Sequence, residues 1–196
     1  ANLNDIRKFW DITPHVILFN GYGPTETVVA CSLHELRKKD LEADILPIGT
    51  PMNGVIFKLV NDGYEIIEDN KVGELYVGGN QLMEGYWGKI GDLVKNNFII
   101  FENQKYYKTD DNVYKKDNLY YFVGRKSTMI KLRGYRIFPS EIENAFNSID
   151  EVANSCVIFD ERNMQLIGVI ELNSASKPNS DINERIVEKL KLKLPV

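Results

Sequence analysis

The chain has 196 residues, of which 43% are hydrophobic and 27% charged, a composition typical of globular proteins. Its net charge of −4 argues against nucleic acid as a main partner. The sequence lacks both the apolar run of a membrane helix, ~20 residues, and a signal-peptide pattern, so we expect no membrane partner and a cytoplasmic location. Cys31 and Cys156 lack metal-type spacing and are expected to be free, buried thiols in a reducing cytosol.

The first elements surround a glycine-rich loop. Residues 3–10 carry apolar side chains at helical spacing and predict a surface helix, followed by a buried strand at 16–19. Turn dipeptides then end this strand in a tight loop at 20–24. The stretch 25–36 fits a short helix or a strand, and the pattern does not decide between them. The charge run at 37–40 predicts a solvated surface.

A strand-rich section begins at about residue 47. Short apolar runs alternate there with turn signals, which predicts a small antiparallel barrel or a distorted sheet. The predicted strands lie at 55–60, 64–67, 75–77, 98–101, 105–108, 113–115 and 119–123.

Beyond a short polar linker at 125–128, the pattern changes to α+β. The predicted elements are strands at 129–132 and 135–138, a helix at 140–149, a hairpin of strands at 152–159 and 165–172, and a helix at 181–194. Ser140 and Glu143 have the spacing of a capping box, which predicts the start of the first of these helices.

The loop at residues 20–26 reads NGYGPTE and groups three kinds of side chain. An aromatic ring, a hydroxyl and a carboxylate would serve a base, a phosphate and a metal, a set that suits Mg-ATP. Glycines on either side of Tyr22 let a ligand approach the backbone closely. A plain strand-to-helix turn with a polar tip is the alternative interpretation.

This loop resembles the signature of the adenylate-forming enzymes, and most closely the amino-acid adenylation domains of nonribosomal peptide synthesis. Three further segments that resemble the family follow in the family's order. They are GELYVGG at 73–79 with GYW at 85–87, YKTDD at 107–111, and GR at 124–125 with IKLRGYRI at 130–137 and EIE at 141–143. The matched segments span residues 20–143.

The resemblance implies a large α/β domain with a β-barrel end, followed by a small α+β lid domain. Residues 1–125 would be the C-terminal part of the large AMP-binding domain, β-rich from about residue 47. Residues 126–128 would be the hinge, and residues 129–196 an incomplete lid. Family members are longer and carry an upstream phosphate loop and a downstream catalytic lysine. The sequence is therefore expected to be a fragment that is inactive alone.

The activity implied by the resemblance has two halves. A carboxylate attacks the α-phosphate of Mg-ATP to give an acyl-AMP and pyrophosphate, and a thiol then takes the acyl group. An amino acid with a small apolar or proline-like side chain would be the substrate, and the phosphopantetheine of a peptidyl carrier protein the acceptor. An acyl- or aryl-CoA ligase is the alternative within the class. A non-catalytic module that binds ATP or docks a carrier protein is the alternative from another class.

The resemblance implies three catalytic residues. Thr25 would donate its hydroxyl to the α-phosphate, and Glu26 would hold Mg²⁺, which proteins bind through one or two carboxylates. Lys131 would enter the active site for the thioester step, where Gly134 would let the pantetheine arm pass close to the backbone. Ser127 would be the hinge residue.

The implied ATP/AMP-binding residues are Asn20, Gly21, Tyr22, Thr25, Asp111 and Arg125. Tyr22 would stack on adenine, framed by Asn20 and Gly21, while Asp111 would accept the ribose hydroxyls and Arg125 would reach the ribose or phosphate.

The implied substrate pocket contains Gly21, Val29 and Ala30, together with Val28. These residues are small or apolar, which fits a small uncharged substrate side chain. Asp110 departs from the family pattern, which has glycine there. If that glycine requires a positive φ, aspartate is among the less unfavourable replacements.

Overall fold

The computed structural model of the chain describes residues 3–43, 45–61, 68–87, 97–101, 103–132, 135–174 and 180–193. The chain divides into two compact units. The first, here called the sheet unit, comprises residues 17–40 and 46–127. The second, here called the mixed unit, comprises residues 1–16, 41–45 and 128–196. Among the described residues, no helix has the length and apolar character needed to cross a membrane.

The sheet unit is built on one eight-stranded sheet whose described strand pairs are antiparallel. Its strands are β1 (Phe19–Tyr22), β2 (Ser32–Glu35), β3 (Pro47–Pro51), β4 (Val55–Val60), β5 (Gly73–Gly79), β6 (Phe98–Phe101), β7 (Gln104–Lys116) and β8 (Leu119–Arg125). Their order is β1-β2-β3-β8-β7-β5-β4, and β6 pairs with β7.

The core of the sheet unit is built from side chains that alternate between the two faces of each strand. Phe57 on β4, Leu75 and Val77 on β5, and Val113 on β7 are buried in one cluster. Burying each such side chain fully contributes about 1.5–3 kcal/mol to folding. The strand-rich prediction is confirmed. The predicted strand at 64–67 lies outside the described residues, and closure of the sheet into a barrel stays a prediction.

The predicted buried strand at 16–19 is wrong. The strand begins only at Phe19 and continues into the loop motif as far as Tyr22. Ile17 is 65% exposed and Phe19 59% exposed. β1 pairs with β2 along one side and lies at an end of the described strand order, so a continuous apolar run did not imply burial here. The undecided stretch 25–36 forms a short 3-10 turn followed by β2.

β7 joins two strands that the sequence predicts as separate. Lys108 pairs with Tyr76 and Asn112 pairs with Glu74, so three residues, 109–111, lie opposite the single residue Leu75. This is a β-bulge with two extra residues, a feature that re-aims side chains.

The described residues of the mixed unit form three α-helices and two small antiparallel sheets. Its elements are α1 (Leu3–Ile12), β9 (Ile130–Leu132), β10 (Tyr135–Ile137), α2 (Pro139–Asn147), β11 (Val152–Asp160), β12 (Gln165–Leu172) and α3 (Ser180–Lys193). The strands pair as β9 with β10 and β11 with β12. Ile182 and Ile186 on α3 are buried against Ile149 and Val152.

The predicted capping box at the start of α2 is wrong. Phe138 is the N-cap residue and Pro139 occupies the first turn, where its fixed φ suits a helix start. The carboxylate of Glu143 instead accepts the backbone N–H of Val157 at 2.9 Å. Glu143 therefore ties α2 to β11 rather than closing its own helix end.

Side-chain burial differs from expectation at two places. Cys31 is free and buried, as expected, whereas Cys156 is free but exposed, because it faces outward on the β11–β12 hairpin. Within the predicted solvated charge run, Asp40 is only 8% exposed. Its carboxylate lies 2.9 Å from Nε2 of His34 and accepts the N–H of Arg37 at 2.7 Å, which explains its burial.

Candidate functional site

The loop that follows β1 is tightly folded against its own backbone. A Cβ atom at Gly23 would lie 2.7 Å from the carbonyl oxygen of Val29 and 2.8 Å from the N atom of Cys31. Val28 and Val29 both have positive φ, at +60° and +70°. This conformation is strained for β-branched residues, and such strain concentrates at functional sites.

Tyr22 at the end of β1 and Asp111 from the bulge of β7 are in direct contact. The hydroxyl of Tyr22 donates a hydrogen bond of 2.7 Å to Oδ2 of Asp111. The edge of the Tyr22 ring also packs against Phe57, with ring centroids 6.4 Å apart. Burial and the neighbouring carboxylate raise the pKa of Tyr22, so it remains a protonated donor. Two of the predicted site residues are thus brought together.

Asp111 is a buried carboxylate with an incompletely used oxygen. It is 4% exposed, and burial raises its pKa despite the opposing effects of Tyr22 and Arg125. Nε of Arg125 lies 3.3 Å from Oδ1 as an ion-pair partner. Oδ1 accepts no hydrogen bond from the residues that the structure describes. Oδ1 is therefore a buried acceptor whose hydrogen-bonding capacity the described residues leave unused.

Glu26 is buried between tyrosine hydroxyls. Its side chain is 8% exposed, and the hydroxyl of Tyr86 donates to its Oε1. Burial, and then the hydrogen bond to Glu26, raise the pKa of Tyr107 to about 12. A carboxylate offers about four lone-pair sites, so two tyrosine donors leave capacity for a cation.

Backbone contacts fix the segment that carries Tyr86. The N–H of Met83 donates to the carbonyl of Glu26 at 3.0 Å. Nζ of Lys105 donates to the carbonyl of Glu84 at 2.7 Å. The segment before Tyr86 is therefore attached both to the loop motif and to β7.

A polar cleft of about 710 Å³ lies beside these residues in the sheet unit. Thr25 and Glu26 line it together with Lys108, Arg125 and other polar residues. Groups of three or more metal-ligating side chains are absent from the described part of the chain. A single carboxylate fits Mg²⁺, which keeps several waters and is shared with substrate phosphates, and does not fit a metal held by protein ligands alone.

The remaining predicted site residues lie at separate places in the structure. Nδ2 of Asn20 donates to the carbonyl of Pro47 at 2.8 Å, so its amide is used within the sheet. Lys131 is exposed on β9 in the mixed unit. Gly134 lies outside the described residues. Ser127 is exposed in a 3-10 turn that follows β8.

The other predicted loop residues lie around the strained turn. Gly21 pairs with Leu33 and is exposed on β1. Val29 is 78% exposed, and Ala30 follows it with its N–H bonded to the carbonyl of Val28 at 2.8 Å. Thr25 opens the 3-10 turn and is exposed toward the cleft.

Sequence reasoning missed several polar residues that line the cleft. Tyr107 and Glu74 belong to motifs that were recognised, but only the motifs' other members received a role. Glu74 is 8% exposed, and its Oε2 lies 3.1 Å from Nζ of Lys126. Asp110, which departs from the family pattern, also lines the cleft, and its Oδ2 accepts the N–H of Ser127 at 3.1 Å. Their positions inside otherwise matching motifs were the available signal.

Comparison with known proteins gives consistent findings. The sequence profile of the family described as "AMP-binding enzyme" matches residues 2–87. Tyrocidine synthase 1 of Brevibacillus parabrevis is 32% identical over 72% of the chain, and the L-proline--[L-prolyl-carrier protein] ligase of Streptomyces coelicolor is 36% identical over 76%. The chain spans only 13% of the first relative and 28% of the second.

A solved structure has a fold similar to that of this chain. Klebsiella oxytoca NpsA, in complex with 3-hydroxyanthranilyl-AMSN, superposes with a TM-score of 0.81 at 23% identity. The match covers the whole of this chain and 40% of that protein.

Proposed function

Because this chain belongs to the AMP-binding family of adenylate-forming enzymes, we propose that the whole protein activates an amino acid as its aminoacyl-AMP. The substrate carboxylate attacks the α-phosphate of ATP, the bond from that phosphorus to the bridging oxygen breaks, and pyrophosphate leaves. The phosphopantetheine thiol of a carrier protein then takes the acyl group, and AMP is released.

The hydrogen bond between Tyr22 and Asp111 is the single observation that carries this proposal. It joins two motifs that lie 89 residues apart in the sequence. Each motif alone has an ordinary interpretation as a turn or a surface segment. Their meeting beside a polar cleft, with Arg125 at 3.3 Å from Asp111, favours one nucleotide site built from both.

Asp111 would bind the ribose. Its buried Oδ1, which accepts no hydrogen bond from the described residues, suits a ribose hydroxyl donor. Arg125 has a side chain that is 63% exposed beside it, and we propose that it reaches the ribose or a phosphate. Tyr22 would present its ring to adenine, with its hydroxyl bond to Asp111 fixing the ring orientation. Asn20 and Gly21 would frame the base.

Glu26 would hold Mg²⁺ at the cleft, and the bound ion would neutralise charge on the phosphates. The exposed hydroxyl of Thr25 would donate to the α-phosphate. Phosphoryl transfer depends mainly on positioning and charge stabilisation, which these two neighbouring residues can supply without covalent chemistry.

We propose a small apolar amino acid as the substrate. Val29 and Val28 expose apolar side chains beside the loop, and Ala30 and Gly21 leave little bulk near them. Proline is compatible with this set, and one relative is named as an L-proline ligase that loads a carrier protein. A charged substrate side chain would find no charged partner among these four residues.

Residues 129–196 would act as a lid, with the hinge at 126–128 and Ser127 as its moving residue. The division of the chain between Ser127 and Thr128 supports this position. Lys131 would then enter the site for the thioester step, with Gly134 beside the pantetheine arm. The sheet would close further into a barrel in the complete large domain.

ATP–pyrophosphate exchange by the full-length protein tests the proposal. We expect exchange with one apolar amino acid from a panel that also contains aryl and fatty acids. Glu26→Gln and Asp111→Asn should each lower it by about 100-fold or more. Glu35→Gln and Asp117→Asn, which alter exposed carboxylates away from the cleft, should leave it unchanged.

Other outcomes would decide against the proposal. Exchange only with an aryl or fatty acid, followed by transfer to coenzyme A, would identify an acyl- or aryl-CoA ligase. A folded protein that binds ATP but exchanges with no acid would be a non-catalytic binding module.

A further inference from the structure

The segment that leaves β8 is held at two consecutive residues. Nζ of Lys126 lies 3.1 Å from Oε2 of Glu74. The N–H of Ser127 donates to Oδ2 of Asp110 at 3.1 Å. All four residues belong to the sheet unit, whose last residue is Ser127.

Both contacts hold atoms that precede the Cα atom of Ser127 along the chain. The N–H of Ser127 belongs to the planar peptide that links it to Lys126, so it does not move when φ and ψ of Ser127 change. Rotation at Ser127 would therefore move Thr128 and the following residues while both contacts stay intact.

The backbone of Asp110 has a conformation that is unusual for a residue other than glycine. Its φ is +64°, a region that glycine enters freely and that other residues enter at a cost in strain. The side chain that glycine would lack is the one that accepts the N–H of Ser127. The two extra residues of the bulge let Asp110 turn toward this segment while its neighbour Asp111 turns toward Tyr22.

We propose that Asp110, supported by Glu74, is a positioning residue that anchors one side of a pivot at Ser127. The anchored side stays with the sheet unit, and reorientation of the chain from Thr128 onward is confined to the backbone angles of one residue. This role rests on the proposed adenylating function, in which the later part of the chain must take two orientations.

Hydrogen–deuterium exchange at the amide of Ser127 in the full-length protein tests the anchor directly. Asp110→Gly should speed this exchange on the order of tenfold, because it removes a charged acceptor. Asp110→Asn, which keeps a neutral oxygen acceptor, should give an intermediate rate. Asp117→Gly is the matched control, because Asp117 is another aspartate at positive φ, at the other end of the β7–β8 hairpin. Equal exchange in Asp110→Gly and the unaltered protein would overturn the anchor.

The two half-reactions test the pivot. In Asp110→Gly, the ratio of aminoacyl transfer to ATP–pyrophosphate exchange should fall by about two- to thirtyfold. Transfer and exchange that change in equal proportion would overturn the pivot. If the unaltered protein exchanges with no acid, the proposed function fails, and the exchange rate of the Ser127 amide still decides whether the anchor exists.

Discussion

The hydroxyl of Tyr22 and Oδ2 of Asp111 lie 2.7 Å apart and link the end of β1 to the bulge of β7. The bond leaves Oδ1 of Asp111 without a hydrogen bond from the described residues, and we propose that this oxygen binds the ribose. It also makes the stability of the sheet unit depend on a residue pair that we assign to binding.

Tyr22→Phe should destabilise the protein. The substitution leaves a buried carboxylate without its tyrosine donor, which costs about 1–3 kcal/mol in the free energy of unfolding. Urea denaturation measures the change. Tyr120→Phe is the matched control, because Tyr120 also packs edge-on against Phe57 while its hydroxyl has no hydrogen bond among the described residues. A loss of similar size in both variants would assign the effect to the ring environment and not to Asp111.

Asp111→Asn should stabilise the protein at neutral pH. Burial raises the pKa of Asp111, so the folded state favours the neutral acid. The stability that this group contributes is present below the pKa of an unfolded aspartate and is lost as pH rises through the raised folded value. At pH 7 the variant should therefore exceed the unaltered protein by about 1.4 kcal/mol for each pKa unit of the rise.

Urea titrations of both proteins across the acidic range would follow this difference. The gap should close as the pH falls through the raised pKa of Asp111, because the unaltered side chain becomes neutral too. A gap that is constant with pH, or of opposite sign at pH 7, would contradict the prediction. A stabilised variant that no longer binds nucleotide would indicate a carboxylate kept for binding.

Gly23→Ala should disrupt the loop. The new Cβ would meet backbone atoms of Val29 and Cys31 at 2.7 and 2.8 Å, and backbone cannot move aside as a side chain does. We expect a loss of about 1–3 kcal/mol in the free energy of unfolding, measured by urea denaturation. Gly21→Ala on the adjoining strand β1 should cost clearly less, because its Cβ would meet the end of the Leu33 side chain at 3.2 Å and the carbonyl oxygen of Ser32 at 4.0 Å, an ordinary contact distance. Equal losses would refute the steric argument.

Tyr86→Phe should weaken the response to Mg²⁺. Tyr86 donates to Glu26, the residue that we propose binds Mg²⁺. Donors behind a metal ligand orient it, so their loss lowers metal affinity by about 10- to 100-fold. The Mg²⁺ concentration that half-saturates ATP–pyrophosphate exchange should rise accordingly. Tyr121→Phe removes a hydroxyl from a ring that stacks on Tyr114 outside the cleft and should change nothing. An unaltered Mg²⁺ response in Tyr86→Phe would mean that Tyr86 does not orient Glu26.

The local patterns of the sequence predicted most of the strands, because alternation and turn residues act over a few positions. The strand at Val55–Val60 and the hairpin partners β11 and β12 follow this rule. The apolar run at 16–19 led to a wrong prediction of a buried strand. Apolar character shows that a segment can be buried, but not that another element covers it. The sequence predicted separate strands at 105–108 and 113–115, whereas Asp110 and Asp111 between them lie within the single strand β7.

The contacts within the candidate site could not be predicted from local sequence patterns. Nothing near Tyr22 in sequence indicates that its hydroxyl reaches Asp111, because the register of several strands decides that meeting. Val28 and Val29 carry no signal for positive φ, since β-branched residues disfavour it. The family resemblance supplied the identity of the motif residues, and the structure supplied Tyr86 and Tyr107 around Glu26.

The bulge at 109–111 makes the length of β7 as important as its composition. Side chains of a strand alternate between faces, so deleting one residue there would turn every later side chain of β7 to the opposite side. Asp111 would lose Tyr22, and Val113 would leave the core in the same step. We therefore expect natural variants of this segment to differ in amino-acid type while insertions and deletions are rejected.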